Sequence, residues 1–162
     1  MRRLELFQPV NNRKVIIGQF IFFLFWLGVN GFAIYLNPSP YGHGTHQELG
    51  LPPCPSVLLF NRPCPGCGLT TSFTAFIHGD FSQSFHAHPL GPFLYLTFSL
   101  FAILAMYGFV KKLRLNMSYK WVSKPLVAFG IIFILFGIAR FALVTNYQTP
   151  YEKVYASHVE LR

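Results

Sequence analysis

Three long apolar stretches constrain the fold of this 162-residue chain more than any other feature. They cover residues 15–36, 89–110 and 125–146. Each is long enough to cross a bilayer core of roughly 30 Å, which takes about 20 residues of helix. Lipid offers backbone N–H and C=O groups no partners, and three segments cannot close a barrel, so each stretch must be helical. The sequence therefore predicts an all-α integral membrane protein with three transmembrane helices.

The composition agrees with this class. The chain is 52% hydrophobic and 11% charged, whereas soluble domains are about 25% charged. Its net charge of +8 would suit a nucleic-acid partner if the basic residues formed one face. They occur instead in short blocks beside the apolar stretches, a pattern typical of membrane orientation signals. We expect the lipid bilayer as a partner and no nucleic acid.

The distribution of positive charge predicts the orientation. The basic N-terminus, residues 1–14, holds four basic residues and the segment 111–124 holds five, whereas residues 37–88 hold only Arg62. Because cytoplasmic segments are rich in lysine and arginine, we expect residues 1–14 and 111–124 inside. Residues 37–88 and the tail 147–162 are then outside. A cleaved signal peptide is the alternative for the first stretch, but its apolar run is longer than usual for one.

The outer segment begins as an irregular loop and continues as a short helix. Residues 37–63 contain six prolines and three glycines without periodicity, which predicts a loop. The following "GLTTSFTAFIHGDF" places four apolar side chains on one helical face: Leu69, Phe73, Phe76 and Ile77. The run is too short to span, so we expect an amphipathic interfacial helix. Gly79 and Asp80 would end it, and the second span would begin near Pro89.

The stretch "CPGCG", residues 64–68, permits three kinds of chemistry. In an oxidising compartment its cysteines could form a disulfide staple. A helix N-terminus near Cys67 would lower the pKa of that thiol, as in a redox site. In the metal interpretation, Pro65, Gly66 and Gly68 shape a turn in which two thiolates meet one ion.

Zinc requires four ligands, so the metal interpretation needs residues beyond the turn. Cys54 joins Cys64 and Cys67 as the third candidate. The further ligand candidates are histidines: His78, His86 and His88, with His43 and His46 in reserve. We expect a disulfide between Cys54 and one cysteine of the turn, with a zinc site as the open alternative.

A family resemblance rests on the succession "PPCP", "PCPGCGLTTSF", "HGDF" and "HPL". It resembles the small bacterial membrane proteins known as domain of unknown function 2752, over roughly residues 52–110. The family usually has arginine where this chain has Thr71 and asparagine where it has His88. The resemblance implies a protein of the bacterial cytoplasmic membrane and assigns no reaction. Its motif positions here are Cys54, Cys64, Cys67, Gly68, Gly79, Asp80 and Pro89.

Arg140 is the one charged residue of the third apolar stretch, and we expect it to lie near Asp80. The chain has no phosphate-binding loop, nucleophile elbow or HExxH motif, so the sequence favours a non-enzymatic role without closing the question. The first hypothesis is a small membrane subunit or scaffold whose stapled or metal-bound outer loop docks another membrane or extracytoplasmic protein. The alternative is a thiol-redox or zinc-type metal-handling protein that uses the same cysteines.

Overall fold

The computed structural model describes residues 7–115 and 120–160. Arg2 and Arg3 of the predicted basic N-terminus, and residues 116–119 of the second basic segment, lie outside the described residues. The elements in chain order are β1 (Phe7–Pro9), α1 (Arg13–Tyr35), a 3₁₀ helix (Thr45–Leu49), α2 (Pro55–Phe60), α3 (Leu69–Ile77), α4 (Phe81–Ala87), α5 (Gly91–Lys111), β2 (Leu113–Leu115), α6 (Lys120–Leu143) and α7 (Pro150–Glu160).

Three of these helices are long and apolar enough to cross a membrane: Arg13–Tyr35, Gly91–Lys111 and Trp121–Leu143. Most of their side chains are not covered by protein, and large apolar residues such as Phe25 and Ile103 are more than half exposed. Lipid tails can surround the apolar side chains on such surfaces, so these helices do not need to be covered by a protein core. The predicted fold class, an all-α membrane protein with three spans, is confirmed.

The described residues fall into two compact units. The first comprises the chain up to Phe32 together with Phe93–Gly130. In it β1 pairs antiparallel with β2, with Gln8 opposite Arg114. The Gln19 amide donates to the Leu113 carbonyl at 2.8 Å. This small strand pair was not predicted; it joins the N-terminal segment to the chain that follows α5.

The second unit comprises Ala33–Pro92 and the described chain from Ile131. The expectation of a purely irregular loop over residues 37–63 is wrong, because the segment contains the 3₁₀ helix and α2. Pro55 occupies the first turn of α2, where its missing N–H costs no hydrogen bond, and Asn61 ends the helix at a φ of +51°.

Two further helices in the second unit were not predicted, and each begins at a recognisable cap. The Asp80 side chain accepts the Gln83 N–H at 2.8 Å and starts α4. At α7, the Thr149 N–H donates to the Glu152 carboxylate at 2.8 Å, and the Glu152 N–H donates to the Thr149 hydroxyl at 3.2 Å. This reciprocal pair is a capping box.

Helix α3 forms as predicted, and the face that it packs against the protein is the one opposite its large apolar residues. Its buried residues are small and mostly polar: Thr71, Ser72, Thr74 and Ala75. Its large apolar side chains remain partly exposed. Against α4, the Ser84 hydroxyl donates to the Ser72 carbonyl at 2.8 Å. Small polar residues allow close helix approach in membrane proteins, so the apolar face is left for the surroundings.

Candidate metal centre

The centre is built on the tight turn that leads into α3. The Cys67 N–H donates to the Cys64 carbonyl at 3.0 Å, and the Leu69 N–H donates to the Gly66 carbonyl at 3.1 Å. Gly68 follows at a φ of +88°. A Cβ at that position would overlap the carbonyl oxygens of Ala87 and Gly42, so both the conformation and the space require glycine.

Helix α6 lies against this turn. A Cβ at Gly137 would overlap the Pro65 ring, so the absence of a side chain there allows the contact. Three groups on other segments accept hydrogen bonds from the Arg140 guanidinium: the Cys67 carbonyl at 2.7 Å, the Ala87 carbonyl at 3.1 Å and the Tyr147 hydroxyl at 2.8 Å. Arg140 therefore holds the turn, the end of α4 and the chain after α6 together.

The three cysteines lie together. Their Sγ atoms are all within 4.8 Å of one another, and the sulfurs of Cys64 and Cys67 are 3.2 Å apart. All three are free thiols, so the structure does not form the expected disulfide between Cys54 and the turn. Sulfurs that share a tetrahedral zinc ion lie about 3.7 Å apart. The cluster can reach that spacing by small side-chain adjustments.

The thiols differ in how easily they ionise. Burial raises the pKa of the Cys67 thiol, and neighbouring Cys64 raises it further, so the predicted lowering at Cys67 is wrong. At Cys54 burial also raises the pKa, but the Val57 and Ser56 N–H groups and the other two thiols lower it more, giving a net decrease. Cys54, at the start of α2, is therefore expected to ionise more easily than Cys67.

A cavity of about 220 Å³ adjoins the sulfurs, and it is lined by residues from the 3₁₀ helix, the turn and α3. His43 and His46 both line it. Both ring nitrogens of His43 face oxygen atoms: Nδ1 lies 3.2 Å from the Tyr41 carbonyl and Nε2 lies 2.9 Å from the Glu152 carboxylate. His46 is half-buried, and its ring has no hydrogen-bond partner within residues 7–115 and 120–160.

The three histidines that the sequence singled out as further ligands lie elsewhere. His78 Nδ1 donates to the Thr74 carbonyl at 2.8 Å, in the last turn of α3. His88 Nε2 donates to the Pro65 carbonyl at 3.1 Å, and its ring stacks on Phe133. His86 is exposed near the end of α4. Within the described residues, none of these three histidines belongs to the group of possible metal ligands, which consists of the three cysteines.

Arg140 and Asp80 were expected to lie near one another, but their described side chains do not form an ion pair. The Asp80 carboxylate is engaged at the N-terminus of α4, where it caps a short helix. Arg140 binds two carbonyl oxygens and a phenol instead. Burial raises the pKa of Tyr147 to about 12, so the phenol stays neutral and accepts from the guanidinium.

The fold and this cluster define the class: a multi-pass helical membrane protein with three adjacent free cysteines. The family described as "Protein of unknown function (DUF2752)" matches residues 54–102. The match includes all three cysteines, so the family resemblance drawn from the motifs is confirmed over this segment, less than a third of the chain. No curated protein and no solved structure matches the chain.

Proposed function

We propose that this is a non-enzymatic membrane protein whose Cys54, Cys64 and Cys67 bind a thiophilic metal ion of the zinc type outside the cytoplasm. The observation that carries the proposal is the convergence of three unbonded sulfurs within 4.8 Å. Thiolates are preferred ligands of zinc. The charge asymmetry of the sequence supports the outer location, because residues 37–88 contain a single basic residue.

Metal binding suits the cluster better than a role limited to packing. Cys67 is 7% exposed. Three neighbouring thiols gain little stability from hydrogen bonds with one another, because S–H is a weak donor. A bound cation stabilises the thiolates and displaces their protons. It therefore overcomes the burial and thiol contacts that disfavour ionisation of Cys67.

The proposed role of the ion is to hold the loop in a shape that another protein can recognise. Cys54 begins α2, whereas Cys64 and Cys67 lie in the turn before α3. An ion shared by all three joins segments that are ten residues or more apart in sequence. The partner we infer is another membrane or extracytoplasmic protein that docks on this loop, in the cytoplasmic membrane of a bacterium.

Zinc affinity of the reduced, purified protein tests the proposal. The wild type should bind one zinc ion per chain in competition with a chromophoric chelator. Each of Cys54→Ser, Cys64→Ser and Cys67→Ser should weaken binding by about 100-fold or more, because each removes a direct ligand and even residues that only orient a ligand contribute about 10–100-fold. His86→Ala, in an exposed histidine, is the control and should leave the affinity unchanged. A wild type that binds no zinc, or a cysteine variant with full affinity, would contradict the proposal.

Thiol–disulfide exchange is the second candidate, favoured by the lowered pKa of Cys54. The Cys54 thiolate would attack a disulfide of a partner protein and release one partner thiolate. Cys64 would then displace the second, leaving an oxidised Cys54–Cys64 pair and a partner reduced by two electrons. A double variant, Cys64→Ser with Cys67→Ser, should trap the mixed disulfide if this occurs, because it removes both thiols that lie within 4.8 Å of Cys54. Without such a species on non-reducing gels after mixing with a disulfide-containing extracytoplasmic extract, this candidate fails.

A further inference from the structure

We propose that His46 supplies the fourth ligand of the metal centre, giving a closed site of three sulfurs and one imidazole nitrogen. This inference rests on the proposed metal function. It assigns a ligand that lies outside the matched segment 54–102, in the 3₁₀ helix Thr45–Leu49. The group of ligand atoms that lie within 4.8 Å of one another consists of the three cysteine sulfurs. The His46 ring must therefore turn towards these sulfurs, within the cavity that His46 and the three cysteines line together.

Both neighbours of His46 are tied to other parts of the second unit. The Thr45 hydroxyl lies 2.8 Å from the Thr71 hydroxyl of α3 and accepts the Ser39 N–H at 3.0 Å. The Gln47 amide donates to the Glu152 carboxylate of α7 at 2.8 Å. These contacts fix the backbone on each side of His46 and leave its own ring uncommitted. Among the residues that the structure describes, His46 is thus an imidazole without a hydrogen-bond partner beside the cysteine cluster.

The other imidazole that lines this cavity is already used. His43 has both ring nitrogens in contact with oxygen atoms. The Glu152 carboxylate accepts from Thr149 and Gln47 and contacts His43. Recruiting His43 to an ion would break its contact with the buried Glu152 carboxylate, which is unfavourable because a buried polar group would lose a hydrogen-bond partner. His46 is the residue that can bind without such a loss.

A closed tetrahedral site with cysteine and histidine ligands is typical of structural rather than catalytic zinc. Three thiolates and a neutral imidazole around Zn²⁺ leave one net negative charge. The Arg140 guanidinium, bound to the Cys67 carbonyl at 2.7 Å, supplies a nearby positive charge. The ion would then connect the 3₁₀ helix, α2 and the turn before α3, which agrees with a role in shaping the loop.

X-ray absorption at the zinc edge of the loaded, full-length protein in detergent tests this ligand set. The wild type should show three sulfurs at about 2.3 Å and one nitrogen at about 2.0 Å. His46→Ala should lose the imidazole scattering and bind zinc 10–100-fold more weakly. His46→Cys should restore affinity and give four sulfurs, which guards against a variant that merely misfolds. His86→Ala should match the wild type.

The outcomes separate the two proposals. Wild-type protein without bound zinc would overturn the metal function and this inference together. Three sulfurs with imidazole scattering that persists in His46→Ala would overturn the His46 assignment alone. The same holds if His46→Cys fails to yield a fourth sulfur in a protein that still binds zinc.

Discussion

At the scale of single residues, Arg140 links the third apolar helix to the cysteine cluster. Sequence reasoning identified it as an unusual charge in an apolar stretch but expected a carboxylate partner. Its acceptors are mainly backbone oxygens, those of Cys67 and Ala87, together with the Tyr147 hydroxyl. Backbone carbonyls are present at every residue and carry no sequence signal, so such partners could not have been predicted.

Replacing Arg140 by methionine should destabilise the second unit by roughly 4 kcal/mol or more, because it removes three hydrogen bonds and each bond to a charged group contributes about 1.5–3 kcal/mol. It should also increase the rate of zinc release, since the Cys67 carbonyl loses its donor. Arg140→Lys should recover only part of the loss, because an ammonium cannot reproduce the planar fork. Denaturant unfolding in detergent and chelator-driven zinc release measure the two effects.

Lys153→Met is the matched control for Arg140→Met, because this lysine is exposed on α7 and its removal should change neither quantity. Equal unfolding free energies for Arg140→Met and the wild type would show that the three hydrogen bonds contribute nothing to the fold.

Glu152 makes the unfolding free energy of the second unit depend on pH in the acidic range. Burial alone would raise the pKa of Glu152, but the contacts with His43, the Thr149 N–H and Gln47 lower it from 4.5 to about 2. A carboxylate with a lowered pKa in the folded state stabilises the fold above its unfolded pKa. That contribution is lost as pH falls from about 4.5 towards 2.

Unfolding free energies of chelator-treated protein, measured from pH 7 down to pH 2, test this dependence without a contribution from bound metal. The wild type should lose stability across that window. Glu152→Gln should be less stable at pH 7 and should lose less on acidification. A wild type whose acid sensitivity is unchanged by Glu152→Gln would assign the effect to other groups.

At the scale of elements, the sequence predicted the helices that follow from apolar composition and missed the short helices that begin at capping residues. The three long helices follow from apolar length alone, and α3 follows from its periodicity. Helices α4 and α7 are short and polar, yet Asp80 before Gln83 and Thr149 before Glu152 are capping signals that were readable in the sequence. The sequence placed the apolar residues of α3 on one face at the interface, but it did not predict that the small polar face would be buried against the protein.

Gly137 gives a prediction about how α6 contacts the cysteine turn. Gly137→Ala should destabilise the second unit by about 1–3 kcal/mol, the usual cost of overpacking, because its Cβ would overlap Pro65. Gly130→Ala is the matched control in the same helix, where a Cβ meets nothing within 4 Å. That change should be neutral or slightly stabilising, since alanine favours helix by up to about 1 kcal/mol.

Thermal or denaturant unfolding of both glycine variants, with zinc affinity measured alongside, checks the contact. If Gly137→Ala and Gly130→Ala behave alike, the close approach of α6 to Pro65 is not present in the protein.

At the scale of the whole molecule, orientation in the membrane remains a prediction from charge. Residues 37–88, which carry the cysteines, are expected outside, together with α7. The lysines offer a direct test, because five of the six lie in the segments expected inside and only Lys153 lies in the tail. The pairing of β1 with β2 is consistent with the N-terminus and the second basic segment lying on one side.

A membrane-impermeant amine reagent applied to intact cells should therefore modify Lys153 and spare the other lysines, as read by peptide mass spectrometry. Permeabilised cells are the control and should show modification of exposed Lys111 and Lys112 as well. Labelling of Lys111 or Lys112 in intact cells would reverse the orientation and place the cysteine cluster in the cytoplasm.

The candidate site was predictable in part. The spacing of Cys54, Cys64 and Cys67 and the turn residues around them indicated that the sulfurs meet, and they do. The place of His46 was not predictable, because it depends on distant contacts such as Thr45 with Thr71 and Gln47 with Glu152. The histidines that the sequence favoured as further ligands, His78 and His88, are held by backbone carbonyls instead.

Native mass spectrometry of the full-length protein, released from detergent without reductant or chelator, measures directly whether the three cysteines hold a metal ion. The wild-type mass should exceed the sequence mass by one zinc ion less the protons displaced from the thiols, and the Cys54→Ser, Cys64→Ser, Cys67→Ser triple variant should show no such increase. A wild-type mass lower by two hydrogens and without metal would mean a disulfide in place of the metal centre. That result would rule out the proposed metal centre.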